Sequence, residues 1–278
     1  MSLYEIYAQT ARYYDSTRSA IGSEIWLGHL ISHFGDLRSV RMLDAGCGTG
    51  NYALAMARHV GQVTALDMNQ QMLVQARTKA AAVPHGDRIE FRDGQLLDLP
   101  FADASFDAVM FNQVLHHLAL PGEAGFVGYR GALKQAARVL RPGGVVFVNI
   151  CSRTQMRRGF WYASLIPEAR DRVIERTIPS RELRRALQEA GFGQASRTLP
   201  LDKVLLGAAG KNAEGPLDAG WRAGDSIWAL ATENELARAL AKVSEMQRSG
   251  TLQQYMREHD RDRPDVGQVT FWCAAQPA

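Results

Sequence analysis

The 278-residue sequence predicts an α/β fold: a doubly wound, mostly parallel sheet with helices on both faces. Three observations carry that expectation. Short apolar strands alternate with helical patterns from residue 40 onward. A glycine-rich turn, Gly46-Cys47-Gly48-Thr49-Gly50, joins the first strand to the first helix of that alternation. Val145 to Ile150 reads as a strand buried on both faces, as parallel sheets require.

The elements follow in order. Val40 to Asp44 is a short buried strand running into the glycine turn, and Asn51 to His59 is a helix with Leu54, Ala55 and Ala57 to pack. Gln62 to Asp67 is the second strand, and Asn69 caps a helix through Ala82. Arg88 to Arg92 and Phe106 to Phe111 continue the strands. Tyr129, Leu133, Ala136, Ala137 and Leu140 stand at helical spacing, and Pro142-Gly143-Gly144 ends that helix before the strand at Val145. Pro179-Ser180-Arg181-Glu182 opens a helix that stops at Gly191, and Val269 to Ala275 is a final strand.

Two stretches exceed a minimal alternation, 151–180 and 201–265. The second contains an amphipathic helix with Leu236, Leu240 and Val243 on one face. Insertions near strand ends commonly cover a ligand crevice, so both are expected to cap a substrate. The expected organisation is one domain over 1–278: an N-terminal helical lid (1–36), a cofactor-binding half (37–150), the two insertions, and the last strand (266–278).

Composition narrows the function. Hydrophobic residues make up 46% and charged residues 22%, which is globular and not disordered. The net charge of +3 gives no field that would recruit a nucleic acid or a membrane surface. Cys47, Cys151 and Cys273 are too few and too scattered for a disulfide framework or a zinc site. The start lacks the basic and apolar regions of a secretory leader, and no run approaches about 18 apolar residues. A cytoplasmic protein without a metal is expected, with no nucleic-acid or membrane partner; the oligomeric state is not legible.

The glycine turn carries the chemistry. Glycines let the backbone approach a ligand closely, and the following helix presents free N–H groups to an anion. A dinucleotide fingerprint would place a glycine where this chain has Asn51, and the phosphate-binding Gly-Lys-Ser/Thr is missing. Asp67, closing the second strand 17 residues after Gly50, suits a ribose diol. Turn and acid together imply an adenosine-containing ligand.

At this point the sequence resembles a known family. Leu43-Asp44-Ala45-Gly46-Cys47-Gly48-Thr49-Gly50 is similar to the leading signature of class I S-adenosylmethionine-dependent methyltransferases. The resemblance continues through Ala65-Leu66-Asp67-Met68, Asp93-Gly94-Gln95 with Leu99-Pro100-Phe101, Ser105-Phe106-Asp107, Asn112 to Leu118, and Val139 to Gly144. Tyr14-Asp15 matches a common N-terminal element of the family. The match is closest to the small-molecule branch, and no motif is recognisable between 201 and 265.

The resemblance implies a seven-stranded Rossmann-like sheet and assigns roles. Asp44, Gly46 and Gly48 would border the methionine half of S-adenosylmethionine, with Asp44 toward its ammonium. Asp67 would bind the ribose hydroxyls and Met68 the adenine face. Asp93 would accept from the adenine amino group, with the Gly94 N–H on a ring nitrogen and Gln95 beside it. The Asn112 backbone would border the sulfonium end, and Tyr14, with Arg18, would close a lid. Structural explanations compete: Asp93 simply ends a strand, Met68 packs in the core, Tyr13 and not Tyr14 faces inward, and Asp107 serves as a structural cap.

His116 and His117, just beyond the fourth strand, are the candidate catalytic bases, since imidazole titrates near neutrality. Helical neighbours diverge by about 100°, so at most one should reach an acceptor. Phe160-Trp161-Tyr162 behind Arg153, Arg157 and Arg158, with Trp221 and Trp228, would suit a flat or carboxylated acceptor, against the competing explanation of core aromatics and a solvated basic face. The expected function is methyl transfer to a small-molecule nucleophile, giving S-adenosylhomocysteine. The alternatives are a binding or sensor protein without catalysis and an NAD-dependent oxidoreductase.

Overall fold

The computed structural model describes residues 14–120 and 122–278. The expected lid over 1–36 therefore lies partly outside the described residues. Tyr14 to Thr17 are helical, and α1 (Ser23–Phe34) follows.

The chain forms two compact units. One holds Gly22–Ile150, Ile178–Thr198 and Phe271–Ala278; the other holds the described residues up to Ile21, Cys151–Thr177 and Leu199–Thr270. The first of these is the sheet unit. Its strands are β1 (Arg41–Ala45), β2 (Gln62–Asp67), β3 (Ile89–Asp93), β4 (Phe106–Asn112), β5 (Leu140–Ile150), β6 (Ser196–Thr198) and β7 (Thr270–Ala275), in the order β3-β2-β1-β4-β5-β7-β6. β1 pairs in parallel with β2 and β4, β2 with β3, and β4 with β5, whereas β6 and β7 are antiparallel. This is the expected Rossmann-like sheet.

Local chemistry explains most boundaries. α2 (Asn51–Met56) is shorter than the expected helix to His59, because the chain turns into β2 after Met56. Asn69 caps α3 (Gln70–Ala81) by accepting from the N–H groups of Gln71 and Met72 at 3.0 and 3.2 Å. All of β4 is buried, as is β5 from Val145 onward. β5 starts at Leu140, not Val145: Phe106 pairs with Leu140 and Ala108 with Val145, so the Pro142-Gly143-Gly144 segment is a bulge in the strand, with Gly143 at φ +74°. α4 (Val127–Val139) and α7 (Ser180–Glu189) pack Tyr129, Leu133, Ala136, Leu183 and Leu187 into the sheet's main core.

The other unit is helical. It contains α5 (Arg153–Arg158), α6 (Pro167–Arg176), α8 (Ala219–Ala223), α9 (Ser226–Ala229), α10 (Glu233–Arg248), α11 (Leu252–Asp260) and α12 (Arg263–Val266). Capping boxes at Ser152/Gln155 and Thr232/Glu235 start α5 and α10. Gln155 is buried and donates to the carbonyls of Val266 and Val269, both at 3.0 Å, while accepting from Thr270 Oγ1 at 2.9 Å. In α10 the buried positions are Glu235, Ala239 and Val243; Leu236 and Leu240, expected on the inner face, are only half-buried. No described helix is long and apolar enough to cross a membrane.

Candidate cofactor site

Strand order reverses between β1 and β4: the chain passes from β1 outward to β2 and β3, then returns to β4 on the other side. Ligands of such sheets bind outside the carboxyl ends at this point. The glycine turn follows β1 there. The N–H groups of Gly46 and Cys47 both donate to Leu66 O, at 2.8 and 2.9 Å, which ties the turn to β2. Gly46, at φ +82°, has no room for a side chain, because a Cβ would lie 2.5 Å from Val114 Cγ2. Gly48, at φ +54°, is different: among the described residues nothing lies within 4 Å of the place a Cβ would occupy. One glycine is required by packing; the other opens onto free space.

The three acids close three adjacent strands. Asp44 is 1% exposed, and neither carboxylate oxygen has a partner of normal hydrogen-bond geometry. Burial, and then the negative charge of Asp67, push its carboxyl up to about 7. The Ala53 N–H and the Asn112 amide act against that shift without completing regular bonds. Asp67 is anchored to the turn, its Oδ2 accepting from Gly48 N–H at 2.7 Å and its Oδ1 from Asn69 N–H at 2.9 Å. Burial raises its carboxyl too, against those backbone donors. Asp93, in register with Asp67, is exposed at the end of β3 and accepts from Gln70 Nε2 at 2.6 Å.

Two sequence readings change here. The Gly94 N–H donates to Asp67 O at 3.3 Å, so it is engaged in the chain and not held open for a ligand nitrogen. Met68 is 44% exposed, which removes core packing as its role. Gln95 is exposed and bridges to Asp98. Cys47 is buried in the turn, where burial and the charges of Asp44 and Asp67 hold its thiol well above the usual range, so it is no nucleophile. Asp107 is a structural acid, fully buried, accepting from Arg41 N–H at 2.7 Å and paired with Arg141.

Asn112 is buried where β4 ends, and its Oδ1 accepts from Trp26 Nε1 at 3.0 Å. Its neighbour Gln113 adopts φ +52°, a left-handed conformation unusual for a residue with a side chain. Asn149 holds it there: Gln113 N–H donates to Asn149 O and Gln113 Nε2 to Asn149 Oδ1, each at 2.9 Å, and Asn149 Nδ2 donates to Tyr52 Oη at 2.9 Å. Sequence reasoning missed this network. Its one signal was a lone asparagine inside an apolar strand.

His116 and His117 lie on a 3₁₀ turn, Leu115–Leu118, with ring centroids 4.0 Å apart. They do not diverge as helical neighbours would; the rings pack on one another.

Tyr14 falls in the helical unit, half-buried. Arg18, in the same unit, donates to Gly224 O at 2.8 Å and pairs with Asp225 at 3.3 Å. The aromatic residues of the insertions are core: Trp161, Tyr162, Trp221 and Trp228 are at most 6% exposed. Trp161 Nε1 donates to Gly210 O, Trp221 Nε1 to Ala209 O and Tyr162 Oη to Asp225 Oδ2, each at 2.8 Å. Arg153 donates to Thr177 O and Arg158 to Asp262. Among the described residues no cluster of His, Cys, Asp or Glu could hold a metal.

Doubly wound sheets commonly bind nucleoside cofactors where a glycine turn meets an acid at the end of the next strand. Residues 43–148 match the model of the methyltransferase domain family. A demethylmenaquinone methyltransferase of Staphylococcus epidermidis is 30% identical over 158 residues, covering 55% of this chain, and one of Staphylococcus aureus is 28% identical over the same length. The match spans 60% of the length of these relatives. Among solved structures, a putative methyltransferase from an antibiotic biosynthesis pathway of Anabaena variabilis aligns with a TM-score of 0.69 at 22% identity, over 89% of this chain and 96% of that one. A phosphoethanolamine N-methyltransferase of Haemonchus contortus, in complex with S-adenosyl-L-methionine, gives 0.57 at 17%, over 94% of this chain and 54% of that one. Both likenesses are of fold.

Proposed function

We propose that this chain transfers the methyl group of S-adenosylmethionine to a small-molecule nucleophile. The observation that carries the reading is Asp44, an acid buried at the switch point whose oxygens have no partner of regular hydrogen-bond geometry. A buried carboxylate of that kind is costly unless a cationic ligand group completes it. The cofactor supplies a methyl group on a sulfonium, already activated for substitution. The protein's residues bind and orient. Asp44 receives the ammonium, the turn at Gly46 and Gly48 admits the carboxylate, and Asp67 accepts from the ribose hydroxyls. Met68, Asp93 and Gln95 border the adenine, and Asn112 the sulfonium end. Alignment of two reactants in this way contributes about 7–11 kcal/mol to lowering the barrier. A base is needed only for an acceptor that is protonated at working pH, and His116 and His117 are the groups proposed for it. We assign acceptor binding to the insertions at 151–180 and 201–265, with Tyr14, and place the protein's action in the cytoplasm.

Thermal unfolding with ligands tests the reading. S-adenosylhomocysteine at a hundred times its Kd should stabilise by about 2.7 kcal/mol, a rise in Tm of about 5–10 °C. NAD should give none. Stabilisation by NAD alone would overturn the proposal in favour of an oxidoreductase, and binding of S-adenosylhomocysteine without methyl transfer to any acceptor class would favour a sensor.

Asp67→Ala should weaken S-adenosylhomocysteine by about 1.5–3 kcal/mol, measured by calorimetry. It should also cost stability, because Gly48 N–H and Asn69 N–H lose their acceptor. An unchanged Kd rejects the assignment of Asp67 to the ribose.

A further inference from the structure

We infer that Trp26 is a positioning residue for the cofactor site: its indole N–H orients the Asn112 side-chain amide so that the NH2, and not the oxygen, is turned to the Asp44 carboxylate. The inference rests on the proposal that Asp44 receives the ligand's ammonium.

The two ends of an asparagine amide are nearly equal in shape, so hydrogen bonds decide which way it points. An indole N–H can only donate. Trp26 Nε1 donates to Asn112 Oδ1 at 3.0 Å in a buried bond between residues 86 apart in sequence. That bond commits Oδ1 to α1 and leaves Nδ2 facing away from it. Nδ2 is buried without a regular partner, and so are both oxygens of Asp44, which lies on the neighbouring strand in register with Met110. The Asn112 amide favours the ionised form of Asp44, as a donor does and an acceptor does not.

The indole itself is held firmly. Trp26 is fully buried, and its ring lies 4.7 Å from the rings of Phe147 and of Phe271. Packing explains the ring. It does not explain why the N–H ends on the amide of Asn112, which acts on the buried acid.

The consequence is a protonation state. Ligand ammonium needs Asp44 ionised, and its carboxyl sits near pH 7. Among the described residues the ionisable groups linked to it are Asp67 from β2, Cys47 in the turn, Asp93 acting on Asp67, and Lys79 of α3 acting on Cys47. Burial and Asp67 oppose ionisation of Asp44, and the Ala53 N–H and the amide of Asn112 assist it. If the amide is free to flip, the oxygen repels the carboxylate and ionisation moves to higher pH.

Trp26→Phe keeps an aromatic ring against Phe147 and Phe271 and removes only the N–H. S-adenosylhomocysteine affinity, read by calorimetry between pH 5.5 and 9, should fall about tenfold near pH 7, and the midpoint of its pH dependence should move upward. In an Asn112→Ala background the same substitution should change affinity less than twofold. Equal losses in both backgrounds, or an unmoved midpoint, would reduce Trp26 to packing and overturn the inference. Asn112→Asp supplies the test if Trp26→Phe does not fold: it keeps an acceptor for the indole but has no donor for Asp44, so the midpoint should rise. A midpoint unchanged in Asn112→Asp overturns the orientation. Wild-type protein that fails to bind at every pH overturns the role of Asp44 and this inference together, whereas normal wild-type binding with an indifferent Trp26→Phe overturns only the latter.

Discussion

Gly48→Val should leave a folded protein with no measurable affinity for S-adenosylhomocysteine. No described atom lies within 4 Å of the place a Cβ would occupy, and under the proposed function that space takes the ligand. The backbone cost is separate: φ +54° is a left-handed conformation that a β-branched residue adopts at about 1–3 kcal/mol. That is a tolerable loss for a domain with a typical margin of about 5–15 kcal/mol. Calorimetry and thermal unfolding read the two effects independently. Gly46→Val makes the contrast, since a Cβ there strikes Val114 and damages packing first. A folded Gly48→Val variant that binds within threefold of wild type would move the cofactor elsewhere.

Asp44→Asn should split stability from function. The buried carboxyl titrates near 7 in the folded chain, against an ordinary value of 3.8, chiefly because burial penalises its charge. Between those values the folded state holds a proton that the unfolded state has released, so stability falls as pH rises through the interval. Across that interval the loss amounts to about 4 kcal/mol by pH 8. Asparagine carries no such penalty. The ligand-free variant should therefore unfold at a higher temperature than wild type at pH 8, with the gap narrowing toward pH 5. Cofactor affinity should drop at least a hundredfold, because removing one partner of a buried ion pair costs about 3–5 kcal/mol. A variant less stable than wild type at pH 8 would mean that bonds within the protein hold Asp44 after all.

The turn and its flanks were legible because short-range chemistry decides them. Gly46 to Gly50 reads as a ligand turn from residue types alone, and Asn69 as a cap from its place before α3. β6 was not legible: it is three residues long and exists only because Phe271, Trp272 and Cys273 pair with it. The Gly143-Gly144 pair looked like a helix stop and proved to be a bulge, since a glycine pair serves either purpose and the neighbouring strand decides. At the site, Asp44 and Asp67 were identifiable as acids at strand ends. Asp67's second task, anchoring the Gly48 N–H from the next strand, was not, because it depends on strand register. Trp26 carried no motif at all. Its partner is 86 residues away.

The place of β7 in the sheet has a consequence for how the molecule is made. It lies between β5 and β6, and Ser196 pairs with Cys273 across 77 positions of sequence. A chain emerging from the ribosome can build the five-stranded parallel core, β3 to β5, from contiguous synthesis. The outer edge must wait until Thr270–Ala275 has been translated, with the whole of 199–269 intervening. Closing so long a loop is entropically slow, so β6 has no ladder to join while that stretch is being synthesised. Assembly of this sheet is thus ordered in time, with the side bearing the glycine turn complete first and the far edge last.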